Sequence, residues 1–157
     1  MTPQEQLQVK EAPLTSEAAK VLLILSVADD HGFRPISWEL YHSCACYLKM
    51  VKGFNFPGYI FTPFWRPDYG TAFISEELAA DIAMLCDRGL LESEDRLTFS
   101  ITEAGKAAAQ QAIPTLAREG KSAYDFRIDA IGALGTTRDF LAKACYQGYI
   151  KSLQEVT

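Results

Sequence analysis

The stretch Ser75–Ile101 constrains the fold of this chain more than any other part of the sequence. It opens with a serine and two glutamates, continues with apolar residues spaced three and four apart, and reaches Gly89, which predicts a capped amphipathic helix. The polar turn Ser93–Arg96 follows, and after it apolar and polar residues alternate strictly. We therefore expect a helix followed directly by a β-hairpin whose Leu97 and Phe99 face the core.

Five other stretches carry helical periodicity or capping signals. Together with the first, they predict helices over Ser16–Ala28, Trp38–Val51, Ser75–Arg88, Glu103–Glu119, Ala123–Ala133 and Arg138–Leu153. Residues 1–14 are polar and are expected to form a loosely ordered extension. Residues 15–157 are expected to form one domain, with a helical extension from about residue 121, because 157 residues suffice for one hydrophobic core.

The segment Gly53–Gly70 combines three prolines with seven aromatic residues. Prolines at this density exclude a helix, so we expect a short strand over Tyr59–Thr62 and a shaped loop in the remainder. The aromatic residues expected in the core are Phe56, Tyr59, Phe61 and Phe73. The residues expected on the surface, where tryptophan and tyrosine suit an interface, are Trp65, Arg66 and Tyr69.

The predicted order of elements is helix, helix, strand-like loop, helix, β-hairpin, helix, which is the order of a winged-helix unit. In such a unit the hairpin closes the side that three short helices leave open, and its inner residues add apolar area to the core. We therefore expect a mainly α fold of the α+β class. It would consist of a winged-helix-like unit with a β-hairpin wing and two or three additional C-terminal helices.

A family pattern matches residues around the third predicted helix and beyond it. These are Gly70, Ser75, Glu77, Leu78, Asp81, Leu85, Arg88, Gly89, Leu90, Leu91, Thr102, Glu103 and Gly105, with Tyr59–Pro63 upstream and Arg138, Asp139, Leu141, Tyr146 and Tyr149 downstream. In these residues the chain resembles the Panacea-domain proteins, small bacterial and phage proteins that include antitoxins. The resemblance spans most of the chain after Ala18 and implies an antitoxin-like regulator. The second predicted helix departs from the pattern, because His42–Ala45 contains no basic residue.

The distribution of charge favours a protein over a nucleic acid as the partner. The net charge is −5, and Glu76–Glu103 carries eight carboxylates against two arginines. The outward face of the third predicted helix is acidic, and DNA phosphates would repel it. The alternative is a DNA-binding winged-helix transcription regulator that uses a basic surface outside this helix. The residues available for such a surface are Lys10, Lys20, Lys49, Lys52, Arg127, Arg138 and Lys143.

The sequence therefore predicts a non-enzymatic regulator or adaptor that binds a protein through its acidic third helix and its aromatic loop. The predicted partner-binding residues are Trp65, Arg66, Tyr69, Glu77, Asp81, Met84, Asp87 and Arg88. A homodimer is a second arrangement to consider, because the last predicted helix carries an apolar stripe. Packing of that stripe onto the first helix explains it equally well.

No motif for catalysis, metal binding or a cofactor is present in the sequence. The four cysteines form no Cys-x-x-Cys pair, and they are expected to be reduced and mostly buried. His42 and Cys46 have helical spacing but lack a third group that would orient them. No apolar run is long enough to cross a bilayer and no secretory signal is recognised, so a cytoplasmic location is expected.

Overall fold

The computed structural model describes residues 13–67 and 70–156. Most of the predicted N-terminal extension, residues 1–12, lies outside the described residues, as does Tyr69. The helices are α1 (Ser16–Asp30), α2 (Trp38–Met50), α3 (Glu76–Asp87), α4 (Glu103–Ala109), α5 (Ala112–Arg118), α6 (Ala123–Leu134) and α7 (Arg138–Val156). The strands are β1 (Ile36–Ser37), β2 (Thr62–Arg66), β3 (Gly70–Ile74), β4 (Leu91–Glu92) and β5 (Thr98–Ile101). The fold is mainly helical with two small antiparallel sheets, as expected for the α+β class.

Helix α1 lies at the centre of the molecule. The sequence predicted one buried face for it, but every residue from Ala18 to Ala28 is buried. Helices α2 to α6 and strand β5 all pack against it. A helix that is apolar on nearly all sides requires such an enclosed position. Lys20 is the one charged residue within this buried stretch, and its ammonium group has dedicated partners, described below.

The predicted β-hairpin is present as β4 and β5, and β1 joins it to give a sheet of order β1-β5-β4. Phe99 is buried, as expected, but the prediction that Leu97 faces the core was wrong, because its side chain is 55% exposed. Strand β5 begins only at Thr98. Leu97 belongs to the turn, where the Asp95 carboxylate accepts hydrogen bonds from the backbone N–H groups of Leu97 and Thr98, both at 2.9 Å.

A second hairpin replaces the predicted loop before α3. Its strands are β2 and β3, paired in antiparallel register from Thr62 opposite Ile74 to Arg66 opposite Gly70. The predicted strand over residues 59–62 was therefore wrong. Among the described residues β2 pairs only with β3, so it is an edge strand, and an edge strand tolerates a proline such as Pro63.

The helix predicted over residues 103–119 is divided into α4 and α5. Pro114 explains the break, since it has no N–H to donate to the carbonyl group of Gln110 and its ring clashes with that carbonyl group in a continuous helix. The other predicted helices are present with slightly different ends. Helix α7 packs onto α2 and β3, where Leu141 and Cys145 are buried, whereas the two alternatives drawn from the sequence were a homodimer and packing onto the first helix.

Candidate partner surface and an adjoining groove

The β2–β3 hairpin exposes two large apolar side chains next to each other. Phe64 is 40% exposed and Trp65 is 67% exposed, and both belong to the edge strand β2. Ile60, just before the strand, is 65% exposed. The expectation that Trp65 lies on the surface is confirmed, although it lies on a strand and not in a loop. An edge strand with exposed aromatic residues is a typical place for another chain to bind.

The segment immediately before this strand, residues 53–61, has the opposite character, and we call it the aromatic segment. Four of its aromatic side chains are buried, namely Phe54, Phe56, Tyr59 and Phe61. The predictions for Phe56, Tyr59 and Phe61, and likewise for Phe73 in β3, are therefore confirmed. The rings of Phe56, Tyr59 and Phe61 form a chain of contacts, with Tyr59 stacked on Phe56 at 5.7 Å between ring centroids.

Charged side chains fix the backbone of the aromatic segment. The Lys20 ammonium group donates to the carbonyl oxygen of Asn55 at 2.7 Å, and Lys49 donates to that of Tyr59 at 2.5 Å. The Glu17 carboxylate accepts from the Gly58 N–H at 2.9 Å. Because these residues come from α1 and α2, two helices hold the segment through its main chain.

Two of the predicted partner-binding residues on α3 also accept hydrogen bonds from the aromatic segment. The Tyr59 hydroxyl donates to the Asp81 carboxylate at 2.5 Å, and the Ile60 N–H donates to Glu77 at 3.2 Å. Asp81 is half-buried, so the expectation that it projects freely into solvent was wrong. The reason is that the buried Tyr59 ring brings a hydroxyl group that requires an acceptor. Burial and the adjacent Asp81 together raise the pKa of Tyr59.

The remaining predicted site residues divide between two surfaces. Met84 and Arg88 are half-buried, and they follow Glu77 and Asp81 along one stripe of α3 at helical spacing. Asp87 is exposed and lies on a different side of the helix, where it lines a groove. Arg66 ends strand β2 opposite Gly70. The predicted residues on α3 therefore do not form one continuous patch.

The groove that Asp87 lines has a volume of about 610 Å3 and opens between α2, α3 and the β4–β5 hairpin. Helix α2 contributes Trp38, Tyr41 and His42, and the hairpin contributes Leu97 beside Trp38. The groove adjoins the partner surface, because the Trp38 ring lies 6.4 Å from that of Phe64. Sequence reasoning missed this site, because its walls come from three elements that are distant in the chain.

His42 is buried at the base of the groove and is held by the end of the β2–β3 hairpin. Its Nδ1 atom accepts a hydrogen bond from the Ser75 backbone N–H at 3.2 Å. A backbone N–H can only donate, so the neutral ring carries its proton on Nε2. Burial lowers the pKa of His42 from 6.5 to about 4. The ring also stacks on Tyr41, with 4.8 Å between centroids.

The cysteines occupy a separate region of the core. Cys44, Cys46 and Cys145 are buried, while Cys86 is half-exposed on the wall of the groove. A hydrogen bond with Cys145, together with burial, raises the pKa of Cys46, which is the opposite of what a nucleophile requires. Within residues 13–67 and 70–156, no group of three or more His, Cys, Asp and Glu side chains is placed to hold a metal ion.

Three of the basic residues available for a DNA-binding surface pair with separate acidic residues. Lys20 is fully buried and pairs with Glu119 at 2.6 Å, so it is not available for the basic surface of the DNA-binding alternative. Lys52 lies 3.7 Å from Asp129, and Arg127 lies 3.8 Å from Asp30. Lys10 lies outside the described residues. Lys20, Lys52 and Arg127 therefore neutralise acids at three separate places in the described structure.

Comparison of the chain with protein-family models, with curated proteins and with solved structures found no match. The function must therefore be argued from the residues of this chain. No helix in the described part of the chain has both the length and the apolar composition needed to span a bilayer.

Proposed function

We propose that this protein is a non-enzymatic regulator or adaptor of the antitoxin type, which acts by binding another protein. Its binding surface would centre on Phe64 and Trp65 of the edge strand β2. The observation that carries this proposal is the exposure of these two adjacent aromatic side chains, 40% and 67%, on a strand with a single neighbour among the described residues. Large aromatic side chains of this kind supply most of the binding energy in protein interfaces.

The charge around the hairpin favours a partner of a particular kind. Ile60 lies beside Glu77, and both are exposed, as is Glu76 at the start of α3. An exposed apolar strand next to these carboxylates suits a partner that carries basic residues around an apolar pocket. The edge of β2 also offers main-chain groups to a strand of the partner, although Pro63 removes one donor.

The order of elements supports the further proposal that the N-terminal part is a winged-helix-like unit. Helix α1, strand β1, helices α2 and α3 and the β4–β5 hairpin follow one another, and β1 completes the sheet beside β5. In this proposal the β2–β3 hairpin is an insertion before the third helix. The resemblance to Panacea-domain proteins supports the antitoxin type of function in the same way.

A DNA-binding function has less support. The side of α3 that faces away from the core carries Glu76, Glu77 and Asp87 in exposed positions, and phosphates would repel them. The basic residues that remain are distributed over several helices.

Co-expression with the product of the adjacent reading frame in the source genome tests the proposal. If that product arrests growth, the chain should restore growth, and the purified proteins should form a stoichiometric complex. Trp65→Ala and Phe64→Ala should weaken the complex by at least about tenfold each, since hot-spot residues contribute about 2 kcal/mol or more. Tyr124→Ala is the matched control, because Tyr124 is 70% exposed but lies on α6.

Two outcomes would contradict the proposal. The first is a complex that both hairpin variants form with the affinity of the unmodified chain. The second is sequence-dependent DNA binding in a gel shift that weakens strongly between two salt concentrations. The second result would favour the DNA-binding alternative.

A further inference from the structure

Two hydrogen-bond donors in the groove have no acceptor. Tyr41 and His42 are each only 3% exposed, and both line the groove. Among the described residues, neither the Tyr41 hydroxyl nor the His42 Nε2–H hydrogen-bonds to another group, and neither atom is sealed from solvent. Two donors that reach this groove and bond to no other group of the described chain are open to an acceptor that comes from outside the chain.

The donors occur as a pair, which limits the chemistry of the acceptor. Their rings stack at 4.8 Å with an angle of 28° between the planes, so the two donors belong to adjacent, nearly parallel rings. A group with two acceptor oxygens can bind to both at once, and a carboxylate is the simplest such group. A cationic ligand gains nothing from either donor.

The rest of the groove suits a planar apolar molecule. Trp38 and Leu97 are neighbours, since the Trp38 backbone N–H donates to the Leu97 carbonyl oxygen at 2.9 Å, and Leu97 leaves 55% of its side chain uncovered. The α3 wall offers small side chains, Ala79 and Ala83, which leave room for a ring system. A volume of about 610 Å3 lies within the range of small-molecule sites.

The charged residues of the groove do not exclude an anion. Arg96 from the hairpin and Asp87 from α3 both line it, so one positive charge balances one negative charge. Whether the groove prefers an anion or a cation therefore depends on the Tyr41 hydroxyl and the His42 Nε2–H. Both groups donate hydrogen bonds, so both favour an anion.

We propose that this groove binds a small aromatic or similarly planar organic acid. Its carboxylate would accept hydrogen bonds from the Tyr41 hydroxyl and the His42 Nε2–H, and its apolar body would lie against Trp38 and Leu97. This site is distinct from the partner surface on β2 and does not depend on it, although Trp38 and Phe64 are in contact.

Calorimetric titration of the purified full-length chain tests the proposal with three related probes: 2-naphthoate, its methyl ester and 2-naphthylmethylamine. The acid should bind with a Kd below about 1 mM, the ester about tenfold more weakly, and the amine more weakly still. Tyr41→Phe and His42→Asn should each weaken binding of the acid by about tenfold. Asparagine keeps an acceptor for the Ser75 N–H but has no Nε2–H.

Tyr124→Phe is the matched control, since it removes the same hydroxyl group from a tyrosine that is 70% exposed on α6. Its affinity for 2-naphthoate should equal that of the unmodified chain. The circular dichroism spectrum of each variant shows whether it has folded.

A second readout uses Cys86, which lines the groove, whereas the other three cysteines are buried. Bound 2-naphthoate should slow the alkylation of Cys86 in the unmodified chain. The proposal is overturned if no probe binds at about 1 mM, if acid and ester bind equally, or if Tyr41→Phe binds like Tyr124→Phe. An alkylation rate that the acid leaves unchanged would overturn it as well.

Discussion

The aromatic segment and strand β2 are neighbours in the chain and similar in composition. The aromatic side chains of the segment are nevertheless buried, whereas those of β2 are exposed. Phe61 is 2% exposed, whereas Phe64, three residues later, is 40% exposed. The difference lies in the main chain. Side chains from α1, α2 and α3 bind the backbone of the aromatic segment, whereas among the described residues the main chain of β2 pairs only with β3.

The comparison shows that apolar composition alone does not decide which of these residues form the core. A buried loop must satisfy its backbone N–H and C=O groups without a sheet or a helix, and here charged side chains provide most of the partners. Strand β2 satisfies half of its backbone groups through β3 and leaves its other edge to solvent or to a partner. Each region can therefore be perturbed without directly touching the other.

The largest effect is expected from the pair Phe61→Ala and Phe64→Ala. Removing the buried Phe61 ring leaves a cavity and should lower the free energy of unfolding by about 4 kcal/mol. The same substitution at Phe64 should cost about 1 kcal/mol, because much of this ring already contacts water. Urea unfolding of the two variants measures both values. Equal losses of unfolding free energy in the two variants would show that Phe61 contributes no more to stability than Phe64 does.

Lys20→Met removes the cation that links the aromatic segment to Glu119. The Glu119 carboxylate, 20% exposed, would then keep only the Asn55 side-chain amide at 3.1 Å, and the carbonyl oxygen of Asn55 would lose its donor. We expect a loss of about 3 kcal/mol in the free energy of unfolding, measured with urea. Lys52→Met is the control, because this lysine is 39% exposed and should cost less than about 1 kcal/mol. A Lys20 variant as stable as the control would remove this ion pair from the explanation.

His42 anchors the end of the β2–β3 hairpin, because its Nδ1 atom accepts a hydrogen bond from the Ser75 N–H directly after β3. Its folded-state pKa of about 4 lies below the ordinary 6.5, so the unfolded chain takes up the proton first as the pH falls. The contribution to stability is complete above pH 6.5 and decreases towards pH 4, by roughly 3 kcal/mol in total.

Urea unfolding of the unmodified chain and of His42→Asn at several pH values isolates this contribution. Asparagine keeps the bond to Ser75 but does not titrate, so the difference in stability between the two proteins should shrink or reverse between pH 6.5 and pH 4. Parallel curves would show that His42 does not titrate in this range.

Tyr59→Phe tests one hydrogen bond of the aromatic segment. The change removes only the hydroxyl group that donates to the half-buried Asp81. A hydrogen bond to a charged group contributes about 2 kcal/mol, and we expect a loss of that size in the free energy of unfolding. Tyr124→Phe, at a 70% exposed tyrosine, should leave stability unchanged. If both variants are equally stable, Asp81 finds another donor.

The features that the sequence predicted correctly depend on near neighbours. Ser75 caps α3 through its hydroxyl group, which accepts from the Leu78 N–H, and the apolar stripe of that helix is buried as its spacing indicated. The division between α4 and α5 also has a local cause, because a proline such as Pro114 interrupts a continuous helix.

The features that the sequence did not predict depend on residues far apart in the chain. Asp81 is half-buried because Tyr59, 22 residues earlier, donates to it. The groove combines α2, α3 and the β4–β5 hairpin, and no local pattern encodes that meeting. The exposed Leu97 follows from the turn at Asp95, which delays the start of β5 by one residue. Only the arrangement of the whole chain determines these positions.

The smallest effect on stability, and the sharpest test of the comparison, is expected from Trp65→Ala. This side chain is the largest exposed apolar group on β2, 67% exposed, so its removal should change the free energy of unfolding by less than about 0.5 kcal/mol. Yet in the proposed complex the same substitution should weaken binding by at least about tenfold. Urea unfolding and calorimetric titration with the partner separate the two quantities. A Trp65 variant that loses stability and affinity in equal measure would mean that this ring supports the hairpin itself, and strand β2 would then belong with the aromatic segment as part of the fold.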